Sequence, residues 1–134
     1  MNDNYDDLQV SFGRCLRQRG FIERFYEILL ASHPAIPPMF ARTDFRGQRL
    51  ALRRGISMAI SWASGSTMVQ RPMQQMIDVH SRAGRAPVEP ALYVCWIESL
   101  LQAIAEFDTA ITPALAARWR AAMQKVVDAF ARNY

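Results

Sequence analysis

Lysine is almost missing from this chain: Lys125 is the single one against fifteen arginines, and the formal net charge is +4. A basic balance first suggests nucleic acid. The arginines are nonetheless spread along the chain, apart from Arg42, Arg46, Arg49, Arg53 and Arg54, and no nucleic-acid motif accompanies them. Nucleic acid is therefore not expected as a partner. Cysteine is equally scarce. Cys15 and Cys95 stand eighty residues apart with no CxxC, which argues against a zinc site, thioredoxin chemistry and covalent cofactor attachment through paired cysteines. Both read as small core hydrophobes. No apolar run approaches the roughly 18 residues of a membrane helix. The segment Met1-Asn2-Asp3-Asn4-Tyr5-Asp6-Asp7 is acidic and polar, unlike a secretory signal or transit peptide, so a cytoplasmic protein with no membrane partner is expected. There is also no alternating strand pattern, internal repeat, low-complexity tract or linker. The 134 residues, 51% hydrophobic and 21% charged, suit one domain over residues 1–134 with a real core.

What is present is helical periodicity, and the expected class is all-α with about seven helices, one of them very short. Leu8, Phe12, Cys15 and Leu16 share a face behind an acidic first turn, and Gly20 ends that pattern. Ile22, Phe25, Tyr26 and Leu29 follow until His33-Pro34, where the residue before proline is pushed out of the α region. His33 reads as a solvated helix-end residue. Pro34, Pro37 and Pro38 permit a tight turn before Met39-Phe40. Thr43-Asp44 starts a helix whose stripe is Phe45, Gln48, Leu52, Ile56, Ala59 and Ala63, edged by Arg42, Arg46, Arg49 and Arg53. After a loop at Gly65-Ser66-Thr67 and two later connections, Leu92, Cys95, Trp96, Leu100 and Ile104 mark one long helix. Thr112-Pro113 caps another, carrying Leu115, Trp119, Met123, Val126, Val127 and Phe130.

Two polar residues interrupt these apolar stripes. Gln48 is one. The other is His80, which closes the stripe Met73, Met76, Ile77, His80 in a helix that Pro72 opens at its first position. A buried polar group without a partner is unfavourable, so something should bond the imidazole. It is either a core histidine satisfied by a backbone carbonyl or an axial ligand to a haem iron, with the porphyrin against the methionines and isoleucine. Spacing alone does not decide between them.

Several pieces taken together resemble a globin, closest to the bacterial single-domain and flavohaemoglobin type, from Leu8 to Phe130. They are Phe25-Tyr26 with Pro34 eight residues beyond Tyr26, Met39-Phe40 ending the turn, Thr43-Asp44-Phe45-Arg46-Gly47-Gln48-Arg49, His80, and Leu92-Tyr93-Val94-Cys95-Trp96 followed by Leu100-Leu101. The resemblance implies a globin fold around non-covalently bound haem b, with His80 as proximal iron ligand and Phe40 against the porphyrin face. It implies that Tyr26 and Gln48 point at the distal side, that Leu52 walls the ligand pocket, that Met76 and Ile77 line the haem, and that Tyr93 lies near the proximal histidine. Arg49, Arg82 and Arg85 are candidates for holding the haem propionates.

The implied function is reversible binding of oxygen, and of carbon monoxide and nitric oxide, opposite His80. Bound oxygen carries partial negative charge, so a phenol or amide donor strengthens binding by a charge-assisted hydrogen bond. One departure matters. Flavohaemoglobins have a last-helix carboxylate that makes the proximal histidine electron-rich; here the matching position falls near Tyr134, where no Asp or Glu lies, and Asp128 is the only acid in that stretch. Nitric-oxide oxidation, which would need a separate reductase, is thereby less well supported than ligand binding. A haem-free globin-like interaction module is the reading from another class, and a homodimer through the last two helices is compatible with the pattern.

Overall fold

Each apolar period becomes a helix. A computed structural model describes residues 3–134, with α1 at Asp6–Arg17, α2 at Phe21–Ser32, α3 at Ile36–Met39, α4 at Phe45–Ala63, α5 at Gln70–His80, α6 at Tyr93–Phe107 and α7 at Pro113–Arg132. Two 3₁₀ turns, Thr67–Val69 and Pro90–Leu92, lead into α5 and α6. Among the described residues there is no strand, and no helix is long and apolar enough to cross a membrane.

The local signals act where expected. The Asp44 side chain accepts the Arg46 N–H at the start of α4, and the Thr112 side chain accepts the Leu115 N–H at the start of α7, with Pro113 in the first position. Gly20 takes φ +94°, a left-handed conformation that costs glycine little, and so turns the chain from α1 into α2. His33 is exposed, and its Nδ1 accepts the Ala35 N–H at 2.9 Å.

The very short helix is α3, in the proline-rich turn, whose prolines occupy opening positions that need no N–H. Two details differ from expectation. Pro72 is the third residue of α5, because the helix starts at Gln70 and grows from the 3₁₀ turn; its missing N–H still falls among the first-turn donors that have no intrahelical partner. The fully buried face of α6 is Ile97, Leu100, Ala103 and Ile104, whereas Leu92, Cys95 and Trp96 are only half-buried.

The core gathers Leu8, Phe12 and Cys15 from α1, Phe21 and Phe25 from α2, Ile56 and Ile60 from α4, Met73 from α5, Leu100 and Ile104 from α6, and Trp119 and Met123 from α7. Burial pushes the Cys15 thiol up to about 12, so it serves as a small hydrophobe. The packing has α2 against α6 and α4 against α7, with α5 leaning on α4 and α7.

One buried polar network pins these layers. Asp108, just beyond α6, is 2% exposed; it accepts Ser11 Oγ at 2.6 Å, Arg14 Nε at 2.5 Å and the Ala110 N–H at 2.9 Å. Trp119 Nε1 donates to Ser11 Oγ at 2.9 Å, which ties α7 to α1. The Arg14 guanidinium, ahead of the other donors, lowers the Asp108 carboxyl to about 2. Because the folded value lies below the ordinary 3.8, this stabilisation is present above pH 4 and is lost as pH falls through 2, a swing of about 2 kcal/mol. Asp108→Ala is expected to destabilise the protein by about 3–5 kcal/mol by leaving Arg14 and Ser11 without their acceptor. Urea denaturation at neutral pH, repeated at pH 3 where the difference between variant and wild type should shrink, measures both effects.

Candidate functional site

Tyr26 faces inward from the middle of α2 because Ile22, Phe25 and Leu29 set that face against the core. Gln48 enters from α4, one turn past its cap. Their side chains meet: Gln48 Nε2 donates to the Tyr26 hydroxyl oxygen at 3.1 Å. The amide thus occupies an acceptor site of the phenol and leaves the phenolic proton free to be donated elsewhere. Burial raises the Tyr26 phenol to about 12, the Gln48 hydrogen bond and the Arg49 charge opposing more weakly. Tyr26 therefore stays a neutral donor throughout the physiological pH range.

Aromatic rings close around this pair. Phe40, which follows α3, meets Tyr26 edge-on at 5.8 Å between ring centroids; Phe45 meets it at 5.4 Å, and Phe40 and Phe45 stack on each other at 5.8 Å. Leu52, one turn beyond Gln48, is half-buried against the core.

The second cluster belongs to the end of α5. Met73 and Ile77 are buried, Met76 is half-buried, and His80 is the last helical residue. Its Nδ1 is buried without a hydrogen-bond partner. Burial lowers the His80 pKa below its ordinary 6.5, outweighing the Ala86 backbone, which favours protonation, while Arg85 lowers it further. The imidazole is neutral at pH 7. Its ring lies 5.7 Å from that of Phe130 on α7, and Tyr93 packs on the same ring at 5.9 Å. Tyr93 and His80 thus share Phe130 as a neighbour, and burial raises the Tyr93 phenol to about 12.

The cationic candidates diverge. Arg49 is paired with Glu23 at 3.5 Å. Arg82 lies over the Tyr134 ring at 4.8 Å, and its N–H donates to the Tyr134 carbonyl at 2.9 Å. Arg85 is exposed and close enough to His80 to act on it. On α7, Asp128 is exposed and accepts from Gln124 Nε2 at 2.8 Å.

The helices carrying Gln48 and His80, α4 and α5, pack on each other. Phe40, Phe45, Leu52, Met76, Leu92, Tyr93 and Trp96 are all half-buried and pack against the core. Two crevices of about 330 and 310 Å³ flank α7, one beside Tyr93 and Val127, the other beside Trp62 and Lys125. Neither borders Tyr26, Gln48 or His80; it is their polar groups that mark the candidate site.

Sequence reasoning assigned no site role to Phe45, Phe130 or Ala86. The two phenylalanines stand in the apolar stripes of α4 and α7, a signal that marks core without distinguishing the residues that touch a site. Ala86 carries no signal at all, since only its backbone acts.

Seven α-helices arranged in this way make a globin fold. No family model and no curated protein sequence matches the chain. Among solved structures, a Pseudomonas aeruginosa protein described as structurally highly homologous to a human haemoglobin aligns with a TM-score of 0.92 and 32% sequence identity, over 98% of this chain and 98% of that one. This chain belongs to the globin family.

Proposed function

We propose that this globin binds haem b non-covalently, with His80 as the proximal ligand, and holds a diatomic gas, oxygen above all, beside Tyr26 and Gln48. The observation that carries the reading is His80: a neutral imidazole, in reach of the Ala86 backbone, whose buried Nδ1 has no hydrogen-bond partner among the described residues. Such a group is unfavourable unless a ligand completes it. The half-buried Phe40, Leu52, Met76 and Tyr93 and the buried Ile77 fit the apolar faces of a porphyrin, and no acid in these two clusters would repel its propionates. Arg85 is the freest of the three arginines to meet a propionate, Arg49 would share itself with Glu23, and Arg82 would have to leave Tyr134.

Haem, when bound, would supply an iron able to take oxygen, carbon monoxide or nitric oxide. The chain's own residues do the rest. Tyr26 offers its proton to the charge that oxygen acquires, Gln48 fixes the phenol by donating to its oxygen, and Phe40, Phe45 and Leu52 keep the region dry, which strengthens both bonds.

Two features support ligand binding rather than nitric-oxide oxidation. The α7 ring against His80 is Phe130, and the nearby acid, Asp128, is exposed and hydrogen-bonded to its own helix. Among the described residues no carboxylate hydrogen-bonds the histidine to make it electron-rich. An oxidising role would rest on electrons from a separate reductase.

The test is the visible spectrum of the purified protein, oxidised, reduced with dithionite, and reduced under carbon monoxide. A Soret band that shifts sharply with carbon monoxide is expected. No Soret band after reconstitution with haem would overturn the proposal in favour of a haem-free interaction module.

A further inference from the structure

The carbonyls that close an α-helix have no partner within it, and at the end of α5 the chain folds back to supply three of them. Asp78 accepts the Ser81 N–H at 3.3 Å and the Ser81 hydroxyl at 2.8 Å, Val79 accepts the Ala86 N–H at 3.0 Å, and His80 accepts the Val88 N–H at 3.1 Å. Gly84 makes this return possible. Its N–H donates to the Ser81 carbonyl at 2.9 Å, and a methyl group on its Cα would lie 2.3 Å from the Asp78 and Val79 carbonyl oxygens and 2.6 Å from the Val79 carbonyl carbon. Ordinary contact begins at about 3.5 Å, so no side chain fits. The glycine is required here for space, since it stands outside the left-handed region that Gly20 and Gly65 occupy.

The same segment is fastened a second time. The Arg82 N–H donates to the Tyr134 carbonyl at 2.9 Å, and the Arg82 guanidinium lies over the Tyr134 ring at 4.8 Å, so the residue two beyond α7 holds the connection that follows His80. Next in the segment is Ala86, whose backbone acts on the His80 ring. Its N–H is already given to Val79, and only an acceptor favours a charged imidazole. The Ala86 carbonyl is therefore the group in reach of the ring. Of the two ring nitrogens, only Nδ1 is buried without a partner, and on the α7 side the neighbour is the hydrocarbon ring of Phe130. A neutral imidazole carries its proton on one nitrogen and keeps a free electron pair on the other. A carbonyl that takes the Nδ1 proton leaves that pair on Nε2, free for a metal.

We propose that Gly84 and Tyr134 are positioning residues for His80: they hold the segment 81–88 against the end of α5, so that the Ala86 carbonyl takes the Nδ1 proton and Nε2 keeps its electron pair for the iron. The proposal rests on the haem reading above, although the tautomer of the ring is set before any haem arrives. A carbonyl is a neutral acceptor. It orients the imidazole and adds less electron density than a carboxylate would, in keeping with ligand binding rather than oxidation.

The experiment has two arms. In the first, the haem-free protein is isotopically labelled in histidine and its ring signals are read by NMR at about pH 8, where imidazole is neutral. His33 is the internal contrast, because its Nδ1 accepts the Ala35 N–H and its proton must sit on Nε2. His80 should show the opposite tautomer, with the proton on Nδ1. In Gly84→Ala the added methyl drives the segment outward by about 1 Å, which takes the Ala86 carbonyl out of hydrogen-bond reach, and His80 should shift to a mixture of the two tautomers. In the second arm the proteins are loaded with haem and reduced with dithionite. The iron–histidine Raman band of Gly84→Ala should move to lower frequency, and its haem should pass to apomyoglobin about tenfold faster. Tyr134→Ala should move both spectra in the same direction, whereas Tyr134→Phe keeps the ring over Arg82 and should match wild type. Gly13→Ala, whose methyl meets open space, should leave both spectra unchanged. A wild-type His80 with its proton on Nε2, or an unchanged tautomer and Raman band in either Gly84→Ala or Tyr134→Ala, would overturn the proposal. Failure of the haem reading is separately visible as a missing Soret band, which leaves the tautomer measurement untouched.

Discussion

In the His80→Ala protein, haem affinity is expected to fall by more than about a hundredfold while the helices stay folded. Losing a group that merely orients a metal ligand commonly lowers affinity 10–100-fold, and losing the ligand itself should exceed that. The fold should tolerate the change. His80 is the last residue of α5, the helix is anchored by Met73 and Ile77, and the deleted ring takes with it a buried nitrogen that nothing satisfied. Truncating a satisfied core group costs about 1–3 kcal/mol; here the change in the haem-free protein should stay within about 1 kcal/mol, because relief of the unpaired nitrogen offsets the lost contact with Phe130. Haem transfer to excess apomyoglobin measures retention, and urea denaturation of the haem-free form measures stability. Imidazole added to the variant should partly restore the histidine-type spectrum by entering the space the side chain leaves. Undiminished haem retention would remove His80 from the iron, whereas a large loss of stability without haem would make it a structural histidine. In the haem-free protein, where the folded pKa lies below 6.5, the imidazole stays neutral above 6.5 and takes up a proton as pH falls through the lowered value.

Tyr26→Phe should keep haem and release oxygen about 10–100 times faster. The phenol supplies one hydrogen bond to a partly charged ligand, worth about 1.5–3 kcal/mol in a dry site, and each 1.4 kcal/mol is about tenfold in a rate or affinity. The ring itself remains, so its edge contacts with Phe40 and Phe45 persist and the fold is undisturbed. Carbon monoxide, which carries less charge, should be affected far less, and the oxygen-to-carbon-monoxide ratio separates loss of the donor from a general loosening. With the phenol raised to about 12, the wild-type oxygen dissociation rate should be flat from neutral pH to about pH 10 and rise only when the donor begins to ionise. Gln48→Leu tests the assigned order of the hydrogen bonds: it frees the phenol oxygen and should have a smaller effect than Tyr26→Phe. Stopped-flow displacement of oxygen by carbon monoxide reads all three proteins, and an unchanged rate in Tyr26→Phe would take that residue out of the site.

What the sequence determined by itself is what is encoded over a turn or two of chain. Thr112-Pro113 starts α7, Asp44 starts α4, Gly20 turns the chain, and the apolar periods select the faces carrying Tyr26, Gln48 and His80. The globin resemblance could be recognised because those polar interruptions fall in a fixed order along helices whose registers are locally fixed. The tertiary structure decided which of these faces touch. Gln48 bonds Tyr26 across 22 residues of sequence, Ser11 reaches Asp108 across 97, and Phe130 comes to pack on both His80 and Tyr93. Leu92, Cys95 and Trp96 share the period of a core face and are left half-buried, because burial depends on what a neighbouring helix brings opposite them. Helical hydrogen bonds link residues four apart and so are legible in any short window. Contacts between helices depend on how whole side-chain surfaces interlock, and no window of sequence contains both surfaces.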